Sequence, residues 1–167
     1  SPPRGASQPA KVQGTVEQTT VNGTEVYIYV AKDWVRDQNS AMPLLMVYGD
    51  KAFDEASVRK YAGDNDLDEL LADYKGNAIF MNPADGKSWA DEDIDNYAAV
   101  AGNINHKSDT PIVKAEDKDD VYAGFYGRLY IAAEGSGADF INTMLLPAFA
   151  EGRLSGTDTV GNGDALP

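Results

Sequence analysis

The stretch Gly127-Arg-Leu-Tyr-Ile-Ala-Ala-Glu-Gly-Ser-Gly-Ala-Asp-Phe-Ile-Asn-Thr-Met-Leu-Leu146 decides the fold of this chain. Residues 128–133 are short, apolar and aromatic, a pattern typical of a buried strand. Residues 134–138 are small apart from the leading glutamate, and they predict a very tight turn. Residues 139–146 predict a helix, because apolar side chains recur at i, i+1, i+4 and i+5 along one face. Pro147 follows at the point where this helix must end or kink.

A β-hairpin is predicted near the start of the chain. Residues 12–21 carry valines among threonine and glutamine, and residues 25–30 are rich in β-branched and aromatic side chains. Asn22-Gly23 lies between these two segments and is a strong signal for a two-residue hairpin turn.

Apolar strands and helical segments then alternate along the chain. Two apolar runs without polar alternation predict buried parallel strands, at residues 43–50 and 77–83. Apolar spacing predicts three helices, at residues 54–62, 65–74 and 91–104. The pattern predicts an α/β fold, with a mostly parallel sheet, an N-terminal antiparallel hairpin and flanking helices.

Composition limits the classes of partner. The 167 residues include 27 acidic and 14 basic side chains, giving a formal net charge of −13. Such an acidic chain argues against nucleic acid and against anionic membrane surfaces as partners. No run approaches the roughly 20 apolar residues of a membrane span, and there is no cysteine for disulfides or thiolate metal sites.

Three segments are expected along the chain. Residues 1–11 are rich in proline and small residues and predict a disordered linker, whose sequence indicates a secreted or cell-surface origin. Residues 12–150 form the domain, and residues 151–167 read as a flexible glycine-rich tail. No cofactor motif and no metal-binding motif is found in the sequence.

Two polar features carry alternative interpretations. Asp64, Asp66 and Asp68 alternate before a helix and suggest either calcium or, in better agreement with the dipole, N-terminal charge. His106, the single histidine, follows the end of a predicted helix. It suits favourable placement at a helix C-terminus better than a catalytic role.

The central stretch resembles the nucleophile elbow of α/β-hydrolases, which is a strand, a sharp turn and a helix. More narrowly, it is similar to esterases of the depolymerase and feruloyl-esterase type, with Arg128, Tyr130 and Ala133 at matching positions. Tyr48-Gly49 stands where that family has a His-Gly pair, and Trp89 precedes an acidic helix start as in the family. The resemblance implies the N-terminal half of an α/β-hydrolase-like fold, incomplete in this chain.

The resemblance leaves two registers for the nucleophile position. Laid on the family pattern without a gap, the position falls on Gly135, whereas one extra residue in the strand or turn places it on Ser136. The oxyanion donors that the resemblance implies are Gly137 together with Gly49 or Asp50. The expected pocket residues are Tyr48, Phe53, Trp89 and Glu134, and ordinary core packing is the alternative for their aromatic side chains.

Two functions follow from these registers. The first is a serine hydrolase acting on carboxylic esters, with Ser136 as nucleophile and with its acid and histidine supplied by a second polypeptide that completes the sheet. The second is a catalytically inactive α/β-hydrolase-like module with a binding or structural role, because Gly135 has no side chain and Asp50 is an unfavourable neighbour for an oxyanion. A small ester or a carbohydrate-linked molecule is the substrate or ligand expected.

Overall fold

The computed structural model describes residues 12–34, 42–104 and 126–152 of the 167-residue chain. In this part of the chain, five strands form a single sheet. Their bounds are β1 Thr15–Val21, β2 Thr24–Val30, β3 Met42–Tyr48, β4 Asn77–Met81 and β5 Tyr126–Ala133.

The sheet is mixed, with the order β1-β2-β4-β3-β5. β1 pairs antiparallel with β2, and β2 pairs antiparallel with β4. β4, β3 and β5 are parallel to one another. The predicted α/β class is therefore confirmed, and the predicted parallel character holds for the three-strand core rather than for the whole sheet.

The hairpin between β1 and β2 follows its sequence signal. Asn22 and Gly23 both have positive φ, at 50° and 80°, and Val21 is paired with Thr24 across the turn. Positive φ at both central residues is the requirement of a type I′ turn, which explains why Asn-Gly occurs here.

Four helices lie in the described part of the chain. Their bounds are α1 Glu55–Asp64, α2 Leu67–Tyr74, α3 Asp93–Ile104, and α4, which runs continuously through Ser136–Phe140, Ile141–Leu145 and Leu146–Ala150. In the residues described, no helix has the length and apolar character needed to cross a membrane.

The helices cover both faces of the sheet. α1 and α2 pack on one face through Val58, Ala62, Leu67 and Leu71. α3 and α4 pack on the other face, in a cluster that includes Tyr97, Val100, Phe140 and Leu145. Because both faces are covered, β4 is buried at all five of its residues, which agrees with its unbroken apolar run.

Pro147 does not end α4, so of the two alternatives predicted for this position, an end or a kink, the end is wrong. The helix continues to Ala150, and the five residues Ile141–Leu145 before the proline form a π-helical turn. Proline lacks an N–H and its ring crowds the carbonyl one turn earlier. A wider turn at this place relieves that crowding, so the helix passes the proline.

Two tyrosine hydroxyls in the core lack a hydrogen-bond partner in the described part of the chain. Tyr48 and Tyr97 are both 0% exposed, and neither hydroxyl is bonded. Burial raises the pKa of both phenols well above the usual value. A hydroxyl that loses water without gaining a partner reduces stability.

Replacement Tyr97→Phe is therefore expected to raise the free energy of unfolding by about 1 kcal/mol, as measured by urea denaturation. The matched control is Tyr29→Phe, because Tyr29 is equally buried but its hydroxyl donates to Asp68 at 2.6 Å and accepts from the Gly14 N–H at 3.0 Å. That variant should lose about 1–2 kcal/mol. A loss of similar size in Tyr97→Phe would contradict the expectation.

Candidate functional site

The carboxyl ends of β3 and β5 lie side by side, because these strands are parallel neighbours with Tyr48 opposite Ala133. The β3–α1 loop, residues 49–54, follows the first strand. The apical turn, residues 134–136, follows the second. The Glu134 N–H donates to the Tyr48 carbonyl at 3.1 Å, so the two segments are joined where the strands end.

The apical turn is held to the loop through one residue. The Ser136 N–H donates to Asp50 Oδ1 at 2.8 Å, and the Ser136 hydroxyl donates to the Asp50 carbonyl at 2.5 Å. Both the N–H and the hydroxyl of Ser136 therefore bond to Asp50, which is 86 residues earlier in the sequence.

Gly135 occupies the apex of the turn. It has φ 57° and ψ −130° and is the residue immediately before α4. A residue with a Cβ would be strained in this conformation. A Cβ at this position would also lie 2.5 Å from Asp50 Cγ and 2.6 Å from Asp50 Cβ. The strained position therefore falls on Gly135 and not on Ser136, and the Asp50 side chain fills the space next to it.

Gly137 and Gly49, which were also expected near an oxyanion, form hydrogen bonds within the protein. The Gly137 N–H donates to the Glu134 carbonyl at 3.1 Å, within the turn itself. The Gly49 carbonyl accepts from Trp89 Nε1 at 3.0 Å. The N–H that follows the apex belongs to Ser136, and a carboxylate already accepts from it.

Asn82 fixes the β3–α1 loop. Its side chain, only 6% exposed, accepts from the Phe53 N–H at 2.7 Å and donates to the carbonyls of Phe53 and Glu25 at 3.1 and 3.0 Å. Asp54, which follows Phe53 in the sequence, caps α1 by accepting from the Ser57 N–H at 2.8 Å. The loop therefore has a fixed conformation over the sheet.

A cleft of about 260 Å³ opens between the loop, the turn and α1. It is lined by Gly49, Asp50, Lys51, Ala52, Phe53, Ser57, Lys60, Tyr61, Asp64 and Glu134. Among the expected pocket residues, Phe53 and Glu134 lie in this cleft.

Tyr48 and Trp89 are placed in the core instead. They are 0% and 9% exposed, and their rings stack with Phe140 at centroid distances of 5.7 and 5.3 Å. Neither lines the cleft, which agrees with the core-packing alternative. Aromatic type alone does not distinguish a buried ring from a ring at the mouth of a pocket.

The sequence interpretation missed the contribution of α1. Ser57, Lys60, Tyr61 and Asp64 have the spacing i, i+3, i+4 and i+7, and all four line the cleft. This spacing defines one helix face, so it was a usable signal. The spacing alone did not indicate a site, because the four residues are mostly polar and such a pattern is also typical of a solvent-exposed helix face.

The charges of the cleft are unequally compensated. Lys60 Nζ and Asp64 Oδ2 form an ion pair at 2.5 Å. The hydrogen bond and charge of Asp64 raise the pKa of Lys60, with a smaller contribution from Glu134. Burial raises the pKa of Tyr61, and Glu134 adds to this effect. The charge of Glu134 therefore raises the pKa of two side chains of α1 from the opposite side of the cleft.

The three alternating aspartates take separate roles. Asp64 pairs with Lys60, and Asp68 accepts from the Tyr29 hydroxyl at 2.6 Å and from the Gln13 N–H at 2.7 Å. Asp66 precedes α2 without a capping bond from its side chain. Across residues 12–34, 42–104 and 126–152, no group of three acidic or histidine side chains is placed to hold a metal ion. His106 lies outside the described residues.

The chain matches no protein-family model, no curated protein and no solved structure. The resemblance to α/β-hydrolases therefore rests on the residues quoted above, and the activity and partners that it implies stay predictions. For the predicted second polypeptide, the relevant feature is β5. It is the last strand on its side of the sheet in the described residues, and its Tyr130 is 41% exposed.

Proposed function

We propose that this chain is a catalytically inactive, α/β-hydrolase-like module that binds a small ligand in the cleft beside the apical turn. The parallel strands β3 and β5, the loop that leads from β3 into α1, and the sharp turn into α4 support this proposal. In α/β-hydrolases the corresponding turn carries the nucleophile, and the corresponding loop supplies an oxyanion donor.

The conformation of Gly135 carries the proposal. In the hydrolase elbow, the nucleophile stands on the sharp, strained residue between strand and helix. Here the residue with that strained backbone is Gly135, at φ 57° and ψ −130°. A glycine supplies no nucleophile, and Asp50 occupies the space that a nucleophile side chain would enter.

The contacts of Ser136 also favour a binding role over ester cleavage. Its hydroxyl donates to the Asp50 carbonyl, which cannot act as the general base that a serine nucleophile needs. Its N–H donates to the Asp50 carboxylate. A negative charge at that N–H opposes a developing oxyanion, which needs the donor free.

The competing hypothesis, a serine hydrolase with Ser136 as nucleophile, is tested by labelling. The chain is purified under native conditions together with any polypeptide that stays bound to it, incubated with a fluorophosphonate probe, and analysed by intact mass, because the competing hypothesis takes its base from a second polypeptide. We expect no adduct, and the same background rate of p-nitrophenyl acetate hydrolysis for the wild type and for Ser136→Ala. A serine esterase treated in parallel controls for probe reactivity.

A single adduct that maps to Ser136, together with loss of hydrolysis in Ser136→Ala, would overturn the proposal. That outcome would support the serine-hydrolase hypothesis, with the register shifted by one residue. An adduct that forms equally in Ser136→Ala would instead indicate non-specific labelling and would leave the proposal in place.

A further inference from the structure

We infer that the cleft selects an organic cation, namely an ammonium or guanidinium group on a small apolar or aromatic body, and that it rejects carboxylates. This inference rests on the proposed binding function and names the ligand class of the same cleft. It is carried by a fixed carboxylate, an aromatic wall and an excess of negative charge in one concave site.

The fixed carboxylate belongs to Asp50. The Ser136 N–H holds Asp50 Oδ1 at 2.8 Å, and the second hydrogen bond of Ser136 holds the Asp50 backbone. Since the Asp50 carboxylate already accepts from the Ser136 N–H, that donor is not available to a ligand anion. Such an anion meets the charge of Asp50 instead, so this end of the cleft repels anions and attracts cations.

The aromatic wall consists of Phe53 and Tyr61. Their rings pack edge to face at 6.2 Å, and each also packs on the buried ring of Phe80, at 5.0 and 5.4 Å. Phe53 and Tyr61 are partly exposed and line the cleft. Rings fixed in this way can pack against an apolar ligand body, and their faces attract cations.

The charge in the cleft is negative after its internal pairing. Lys60 and Asp64 neutralise each other in an ion pair. This leaves two carboxylates, Asp50 and Glu134, against the single ammonium of Lys51. The chain as a whole carries a net charge of −13, which adds a long-range attraction for cations.

The volume of the cleft limits the ligand. About 260 Å³ is slightly below the range of pockets that hold drug-sized molecules. A single ring with a short charged arm is a suitable size. Benzylammonium, benzyl alcohol and benzoate are therefore probes of similar shape that differ in charge.

The inference is tested by titrating the ¹⁵N-labelled chain with each probe at low ionic strength and following the amide signals. We expect benzylammonium to bind at least about fivefold more tightly than benzyl alcohol, with benzoate weakest. The amides of residues 49–53 and 134 should shift. The variant Glu134→Gln should bind benzylammonium about threefold more weakly, with benzyl alcohol unchanged. Glu69→Gln, an exposed site on α2 outside the cleft lining, is the matched control and should change neither affinity.

The outcomes distinguish a failure of the inferred charge selection from a failure of the proposed binding function. If benzyl alcohol or benzoate shifts the cleft amides with an affinity equal to that of benzylammonium, charge selection is wrong and the binding site stands. An equal weakening in Glu69→Gln and Glu134→Gln would also overturn the inference, because the attraction would then come from the whole chain. If none of the three probes shifts a cleft amide, both the inference and the proposed binding function fail.

Discussion

Replacing Gly137 with alanine is expected to lower the free energy of unfolding by about 3 kcal/mol, although alanine is the better helix former. Gly137 is buried in the first turn of α4, where the helix meets the end of β3. An added Cβ would lie 2.6 Å from the Tyr48 carbonyl carbon and 2.7 Å from the Gly49 oxygen, and closer still to the Tyr48 oxygen. These atoms belong to the backbone, so no side-chain rotation relieves the contact.

The measurement is urea denaturation followed by tryptophan fluorescence and far-UV circular dichroism. The matched control is Ala138→Gly, at the next residue of the same helix. It should cost no more than about 1 kcal/mol, through helix propensity alone. If Gly137→Ala unfolds at the same urea concentration as the wild type or a higher one, α4 does not approach β3 as closely as described.

Local patterns in the sequence predicted the elements well. The Asn22-Gly23 turn requires positive φ at both residues, and both have it. The apolar spacing that predicted a helix over residues 65–74 corresponds to α2, Leu67–Tyr74. In such cases the physical cause lies within a few residues of the chain, so a pattern a few residues long is sufficient.

Contacts between distant segments could not be predicted in the same way. The bond between Ser136 and Asp50 joins two loops that meet only because β3 and β5 are neighbours in the sheet. The sequence interpretation marked Asp50 as an unfavourable neighbour for an oxyanion, but it gave no indication that this side chain packs against Gly135. The burial of Tyr48 and Trp89 likewise depends on α4, which supplies the ring of Phe140 that packs against both.

The choice between the two nucleophile registers also could not be made from a local sequence pattern. From sequence, Gly135 and Ser136 are adjacent small residues in one turn, and an extra residue in the strand could place either at the apex. The structure separates them by backbone conformation, since Gly135 has positive φ and Ser136 is the first residue of α4. The combination of φ 57° and ψ −130° lies outside the left-handed helical region that Asp66 and Lys75 adopt, and glycine enters it without strain, so the residue type and the geometry agree.

Replacing Gly135 with alanine is expected to lower the free energy of unfolding by about 3 kcal/mol, and a second substitution should recover much of this loss. Two effects contribute to the cost. The positive φ of 57° costs about 1–2 kcal/mol for a residue with a Cβ. The remainder comes from overlap of the new Cβ with the Asp50 side chain.

These two effects can be separated, because the overlap at Gly135 involves a side chain. Asp50→Gly removes the overlapping atoms, so the double variant Gly135→Ala/Asp50→Gly should show a favourable coupling of about 1–2 kcal/mol in a double-mutant cycle. Asp50→Ala should give a smaller coupling, since it removes the carboxyl group at 2.5 Å but retains the Asp50 Cβ at 2.6 Å from the added atom. The difference between these two rescues is specific to the packing of Asp50 against the apex.

Gly86→Ala provides the control for backbone strain. Gly86 has φ 76°, and nothing lies within 4 Å of a Cβ built on it. Its replacement should therefore cost only the positive-φ part, about 1–2 kcal/mol. If Gly135→Ala costs no more than Gly86→Ala, or if neither Asp50→Gly nor Asp50→Ala rescues it, Asp50 does not fill the position beside the apex. Without that contact, the turn would have room for a nucleophile side chain at the apex. A coupling confined to Asp50→Gly would instead mean that a serine nucleophile at this apex requires two substitutions, one at Gly135 and one at Asp50.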